Sequence, residues 1–276
     1  MTDHHATIAV QLTQLALIEA RGPDAAAFLQ GQLSNDVRKV TPNLAQLSTY
    51  NSPKGRMLAV LHLLRRDDTF LLELQRSLLD TTLKRLRMYV MRSKVALSEA
   101  ADRVTFGLAG PDAAKPLDRL GLPAPSAPLA CTWAGELCVM RRIGESPRYT
   151  VLAPAARAAE LWQQLTAHAA PAGLDDWKRL EVEAGVPTVY PETQDHFVAQ
   201  MCNLDALGGI SFDKGCYTGQ EVIARVHYRG AVKRHMTLRR LDGTAPAPGT
   251  KLDAGEVVDA VAHPDGGSTA LVVTTP

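Results

Sequence analysis

Residues 213–221 have the sequence D-K-G-C-Y-T-G-Q-E, which places one cysteine, Cys216, two positions after Lys214. The thiolate form of cysteine is the nucleophile, and positive charge or unpaired amides at a helix start favour that form. Thr218 precedes Glu221 by three positions, a spacing typical of the capping box that begins a helix. We therefore predict a partly exposed, chemically active Cys216 assisted by Lys214. The residues alone leave open that Cys216 is a small buried hydrophobic residue.

The neighbours of this cysteine also suit contact with a ligand. Gly215 and Gly219 permit a positive φ or a close approach of the backbone, which a side chain would block. We treat the loop as one predicted site, whose members besides Cys216 and Lys214 are Gly215, Tyr217, Thr218, Gly219, Gln220 and Glu221.

Two stretches of the chain hold basic residues and no acid. Residues 225–240 contain six lysines and arginines, and residues 84–94 contain five. Such a patch suits a partner that carries carboxylates or phosphates. We predict that the first stretch helps to bind an anionic partner, and a solvated basic face is the alternative.

The overall balance of charge argues against a dedicated DNA-binding protein. The 276 residues carry 30 Lys and Arg against 29 Asp and Glu, a formal net charge of +1. The 46% hydrophobic content is enough for a large core in one domain or two. We expect a globular protein without direct DNA binding.

The sequence also argues against a membrane protein and a metal site. Its longest nearly apolar run, residues 57–64, is far shorter than the roughly 20 residues that span a bilayer. The N-terminal residues M-T-D-H-H lack a targeting pattern. The cysteines form no C-x-x-C pair; they are Cys131, Cys138, Cys202 and Cys216. We predict a cytoplasmic protein with no membrane partner and no metal.

An internal repeat organises the first 170 residues. The pentapeptide G-P-D-A-A occurs at 22–26 and again at 110–114, each time after a strand-like run and before a helix-like one. A hairpin pattern and a second helix follow in both places, which predicts a duplicated strand-helix-hairpin-helix unit at about 14–92 and 103–170. The predicted class is α+β, with a cleft between the two units. A chance match of helix starts is the alternative.

The rest of the chain differs in texture. Residues 178–230 look like loops and short elements, and we count them with the repeats in one domain, 1–230. Residues 231–276 are rich in turn residues between short β-like runs, which predicts a small all-β domain of about three strands. At under fifty residues this domain should depend on the main body for stability.

The loop at 213–221, with the V-I-A-R that follows it, closely resembles the signature of the YgfZ-type folate-binding proteins. These are relatives of the aminomethyltransferase (T-protein) of the glycine cleavage system. The stretches F-L-Q-G-Q-L-S-N-D-V at 28–37, N-S-P-K-G-R-M at 51–57 and E-A-G-V-P at 183–187 agree with it. The likeness covers residues from about 10 to 240, and the C-terminal region resembles the family's barrel, shortened to a partial one.

The resemblance implies a T-protein-like fold that binds tetrahydrofolate in its cleft. It also implies a role in assembling or repairing iron–sulfur clusters, including those of tRNA-modifying enzymes, with client or assembly proteins as partners. Glu183 matches the glutamate that holds the pterin ring, and Asn51 and Arg225 lie at further folate-binding positions. For the basic stretch at 225–240, the glutamate tail of folate is then the expected anionic partner.

The sequence departs from the T-protein at one place. The paired aspartates of that enzyme fall here on Leu58 and Ala59, so the resemblance does not extend to aminomethyl transfer. A folate-dependent iron–sulfur maintenance protein is the leading hypothesis. A one-carbon transferase is the first alternative, and a non-catalytic adaptor is the second.

Overall fold

The computed structural model describes residues 6–230 and 232–274 of the chain. These residues contain three β-sheets and six α-helices. The strands are β1 Ile8–Gln11, β2 Leu15–Arg21, β3 Gln46–Asn51, β4 Met57–Arg66, β5 Thr69–Gln75, β6 Ala96–Glu99, β7 Arg103–Ala109, β8 Cys131–Ala134, β9 Leu137–Arg141, β10 Arg148–Pro154, β11 Ala170–Pro171, β12 His235–Leu241, β13 Lys251–Leu252, β14 Gly255–Ala262 and β15 Ser268–Thr274. The helices are α1 Ala25–Gln32, α2 Leu79–Met88, α3 Ala114–Arg119, α4 Ala158–Thr166, α5 Leu174–Glu183 and α6 Gln220–Arg229. Within these described ranges, no helix has the length and apolar character needed to cross a membrane. The prediction about a targeting pattern at 1–5 lies outside the described residues.

The predicted α+β class and its duplication are confirmed. In the first unit, β2, α1, the strands β3 to β5 and α2 follow one another, and β7, α3, β8 to β10 and α4 repeat that order. The hairpin prediction missed one strand in each unit, since β3 and β8 precede their hairpins. The sheets have the orders β3-β4-β5-β2-β6 and β11-β1-β7-β10-β9-β8.

Each sheet also takes a strand from the segment that leads into the other unit. β1 precedes the first unit but pairs antiparallel with β7 of the second, and β6 precedes the second unit but pairs antiparallel with β2 of the first. Separating the units would therefore break sheet hydrogen bonds on both sides.

The repeated pentapeptide lies at this exchange. Gly22 and Gly110 both have a positive φ, 124° and 120°. A Cβ on Gly22 would lie closer than 3.0 Å to the Lys94 carbonyl, just before β6, and one on Gly110 would lie 2.9 Å from the Ala6 carbonyl, just before β1. The absence of a side chain at the two glycines thus allows the backbone before each exchanged strand to pass close by. This explains why both pentapeptides begin with glycine.

A cluster of buried charges joins the two units. The Arg142 guanidinium, at the end of β9, lies 2.5 Å from the Glu73 carboxylate of β5 and 3.1 Å from that of Glu181 in α5. Arg148 is 3.4 Å from Glu181, and His62 is 3.5 Å from Glu73. Two arginines balance two glutamates, so no member is left as a buried charge without a counterion.

The C-terminal β domain is a four-stranded antiparallel sheet of order β12-β15-β14-β13, which does not close into a barrel in the residues described. It packs on the main body through α5, where the Lys178 ammonium lies 2.8 Å from the buried Asp259 carboxylate of β14. The dependence of this small domain on the larger one stays a prediction.

We predict that Gly22→Ala and Gly110→Ala each destabilise the protein by about 2 kcal/mol or more, because both add a left-handed backbone strain and a clash with backbone. Gly31→Ala is the matched control. Gly31 lies within α1 with no atom near its missing Cβ, so this change should be neutral or stabilising by about 0.5–1 kcal/mol. Urea unfolding measures all three, and equal effects would contradict the exchange argument.

The buried histidine makes a pH prediction. Burial, followed by the charges of Arg142 and Arg148, holds the pKa of His62 well below its usual value. Below about pH 6.5 the unfolded chain therefore binds a proton at His62 that the folded chain does not, so stability falls as the pH falls. Compared with His62→Gln, the wild type should lose up to about 1.4 kcal/mol more per pH unit between pH 6.5 and 5. Parallel pH profiles from urea unfolding would refute this assignment.

Candidate functional site

A cavity of about 230 Å³ lies at the junction of the two units and the C-terminal sheet. Val60 and His62 of β4, Glu73 of β5, Trp177 of α5 and Asp259 of β14 all line it. Its walls are therefore partly apolar and partly ionisable, as in many small-molecule sites. The β4–β5 hairpin, α5 and β14, which carry these residues, are far apart in the chain.

One carboxylate in this cavity is prepared to accept further hydrogen bonds. Glu181 is 8% exposed, and its Oε2 atom has no hydrogen-bond partner among the described residues. Burial alone would raise the pKa of Glu181, but the charges of Arg142 and Arg148 outweigh it and the pKa is lowered. The Trp177 indole N–H acts in the same direction without reaching hydrogen-bond geometry. An ionised carboxylate with one unpaired oxygen thus belongs to the wall of a partly apolar cavity.

The wall formed by the C-terminal sheet has its own polar group. The Tyr190 hydroxyl donates a hydrogen bond of 3.0 Å to Asp259, whose other oxygen meets Lys178. Burial raises the pKa of Tyr190, with the nearby Asp259 adding to the effect, so the phenol keeps its proton. These contacts fix the C-terminal sheet as one side of the cavity.

Glu183, the carboxylate that the resemblance selected, does not line this cavity. It is exposed and borders a separate groove of about 580 Å³ with Gly110, Ser146 and Arg179. Residues two positions apart on a helix are about 200° apart around its axis, so Glu181 and Glu183 face nearly opposite ways. Sequence reasoning missed Glu181, although its spacing of four from the apolar Trp177 placed it on the buried face of α5.

The other two predicted folate positions lie elsewhere. Asn51 is fully buried at the end of β3, and both polar atoms of its amide lack a partner within the described chain. Arg225 is exposed on α6, where its guanidinium lies 2.9 Å from Glu221 one turn earlier. The structure therefore does not bring Glu183, Asn51 and Arg225 together in one cavity.

The helix after the cysteine begins differently from the prediction. α6 starts at Gln220, its N-cap is Gly219 with a φ of 82°, and no side chain caps it, so the predicted Thr218–Glu221 capping box is wrong. Instead, the Tyr217 amide donates a hydrogen bond of 3.1 Å to the Gln220 side chain. Tertiary packing explains the difference, because Gly219 lies directly against the turn that contains Ser52 and Gly55.

The side chains of Lys214 and Cys216 lie in different environments, the first buried and the second exposed. The Lys214 ammonium is buried and donates to the carbonyl oxygens of Gln30, Leu33 and Asn35 at 2.7, 2.6 and 2.8 Å. Burial lowers its pKa to about 8. All three donors of the charged group are used, so none remains for the Cys216 thiol, and the predicted direct assistance is replaced by anchoring of the loop.

The remaining loop residues divide between the core and the surface. Tyr217 is buried, and its ring centroid lies 4.9 Å from the Lys214 ammonium. Gly215, Cys216 and Glu221 are exposed, and Thr218, Gly219 and Gln220 are half-buried. Cys216 differs in this from Cys131, Cys138 and Cys202, which are buried. The loop thus presents one thiol on a firmly anchored backbone.

Comparison with known proteins gives the family. The GCVT N-terminal domain family matches residues 3–211. A protein of Klebsiella pneumoniae (strain 342), named "tRNA-modifying protein YgfZ", is 36% identical, with 95% of this chain and 83% of the relative covered. Its namesake from Yersinia pseudotuberculosis serotype O:1b is 34% identical, with 88% and 74% covered.

The fold has a solved counterpart. The glycine cleavage system aminomethyltransferase T from Bartonella henselae superposes with a TM-score of 0.81, covering 98% of this chain and 79% of that one. At 18% identity this likeness concerns the fold alone. The family match and the sequence relatives show that the chain belongs to the YgfZ group of the GCVT N-terminal domain family.

Proposed function

We propose that this protein binds tetrahydrofolate and, by means of the Cys216 loop, supports the assembly or repair of iron–sulfur clusters. The relatives are named tRNA-modifying proteins, and clusters of enzymes that modify tRNA are the clients that we propose. A cytoplasmic location belongs to the same proposal.

The observation that carries the folate part is the free Glu181 oxygen in the cavity. The pyrimidine edge of a pterin offers neighbouring N–H donors, which an ionised carboxylate can accept as a parallel pair. Apolar atoms of Val60, Leu74 and Trp177 would face the ring. Tetrahydrofolate bound there would supply a carrier for a one-carbon group. The residues present fit this cofactor, with Glu181 taking the part that the resemblance gave to Glu183.

The observation that carries the thiol part is the exposure of Cys216 beside a buried anchor. The Lys214 contacts fix the backbone two residues before the sulfur, so the thiol has a defined place on the surface without being covered. A sulfur species or a client protein could reach it there. Folate recognition and thiol chemistry therefore use different residues and can be tested separately.

A folate-dependent aminomethyl transferase is the weaker candidate. Ala59 is fully buried on β4 and Leu58 is half-buried beside it, so neither place offers a carboxylate to assist that transfer. A non-catalytic adaptor would leave the exposed Cys216 without a task.

We predict that Glu181→Gln weakens tetrahydrofolate binding by about 1.5–3 kcal/mol, because the amide cannot accept both hydrogen bonds and carries no charge. Glu183→Gln, two positions away on the same helix, is the matched control and should change the affinity by less than about 0.5 kcal/mol. Isothermal titration calorimetry measures both. Thermal melting of each variant must first show that Glu181→Gln remains folded, since it also alters the Arg142 contact. A larger loss of affinity in Glu183→Gln than in Glu181→Gln would instead assign the pterin contact to Glu183.

For the thiol, we predict that Cys216→Ser abolishes support of iron–sulfur tRNA-modifying enzymes while folate affinity stays unchanged. The assay is mass spectrometry of thiolated tRNA nucleosides in a bacterial strain that lacks its own relative of this protein. Gly215→Ala is the control, because Gly215 is exposed, has no atom near its missing Cβ and leaves the thiol in place. If Cys216→Ser restores the nucleosides as well as Gly215→Ala does, Cys216 has no chemical role.

A further inference from the structure

A second cavity of about 230 Å³ lies beside helix α2 and shares no lining residue with the cavity around Glu181. Tyr50 from β3 and Thr82 from α2 form part of its wall, and they are 1% and 2% exposed. Arg85, one turn after Thr81 on the same helix, also lines it. The first two basic residues of the run at 84–94, Lys84 and Arg85, therefore line this cavity.

Three polar atoms of these walls lack partners. They are the Tyr50 hydroxyl, the Thr82 hydroxyl and the Arg85 Nε, none of which makes a hydrogen bond of good geometry in the part of the chain that the structure describes, although the Tyr50 hydroxyl lies near the Arg85 guanidinium. Buried polar groups are nearly always paired, by protein, water or ligand. Three such atoms around one cavity point to a ligand that accepts hydrogen bonds, since arginine can only donate.

The charge of the cavity gives the sign of that ligand. Lys84 and Arg85 line it, and none of its lining residues is acidic. The nearby Asp80, in the first turn of α2, is not among them. Burial raises the pKa of Tyr50 to about 12, with Arg85 acting weakly against this, so its hydroxyl keeps a proton to donate. The site offers two cations and two hydroxyl donors.

We propose that this cavity binds the phosphate group of a phosphate ester. A phosphate monoester carries a charge of about −1.5 to −2 and three strong acceptor oxygens, which suits two cations and several donors better than a carboxylate with one charge. Leu58 and Met88 add apolar atoms to the wall, and Met88 is 68% exposed, so the remainder of the ester can extend toward solvent. A nucleotide offers this chemistry, and so does an RNA chain that ends in a terminal phosphate.

Calorimetry with three probes tests the site: inorganic phosphate, adenosine 5′-monophosphate and an RNA oligonucleotide with a 5′-terminal phosphate. We expect at least one to bind, and Tyr50→Phe and Arg85→Met to weaken that binding roughly tenfold or more. Arg92→Met removes an exposed charge from the same basic run without touching the cavity and should change the affinity less than twofold. The probe that binds tightest identifies the source of the phosphate. No binding, or equal losses in Arg85→Met and Arg92→Met, overturns the proposal.

Melting temperature provides a second readout that does not depend on a weak affinity. Tyr50→Phe removes a hydroxyl that makes no hydrogen bond of good geometry within the described residues, so the unliganded variant should melt close to the wild-type temperature. Saturating phosphate or nucleotide should raise the melting temperature of the wild type clearly more than that of the variant. An equal rise in both proteins would overturn the proposal. Because the cavities share no residue, this result is independent of folate binding.

Discussion

The placement of the Arg142 guanidinium between Glu73 and Glu181 is the interaction on which the rest of the structure depends. Arg142 belongs to the second unit, Glu73 to the first, and Glu181 to the helix that carries the C-terminal sheet. Removing one member would leave a buried charge without its counterion, which is far costlier than losing a surface pair. A neutral His62 keeps the cluster balanced at two charges of each sign. The same arrangement leaves one Glu181 oxygen without a partner among the described residues. The Glu181 carboxylate therefore belongs both to the cluster that joins the units and to the proposed folate site.

The strand exchange explains why such a cluster can persist. β1 and β6 each tie one unit to the sheet of the other, so the units hold a fixed relation in which Glu73 and Arg142 meet. The thiol loop is fixed by a different device, the three carbonyl oxygens that surround the Lys214 ammonium. The interior thus provides the proposed cofactor site and the surface provides the thiol, and neither depends on direct contact with the other.

Much of the fold could be predicted from the sequence, because the repeated pentapeptide and the hairpin patterns are local signals. The exchange could not, since β1 and β6 have only four residues each and their partners lie far along the chain. The capping box failed for a related reason: Thr218 and Glu221 have the right spacing, but packing of Gly219 on the 52–55 turn sets the helix start. The carbonyl oxygens that bind the Lys214 ammonium could not be predicted from a local pattern either, because they lie about 180 residues earlier in the chain.

The candidate folate residue was predicted by likeness, and the helix geometry is the ground on which we propose Glu181 in its place. The family stretch at 183–187 drew attention to Glu183. Glu181 is the glutamate on the buried face of α5, and it lines the cavity. A crystal structure of the protein with bound tetrahydrofolate tests this account most directly. The account predicts the pterin ring between β4, β5 and α5, with its amino-pyrimidine edge within hydrogen-bond distance of the Glu181 carboxylate. A pterin ring bound against Glu183 in the groove beside Gly110 would contradict it.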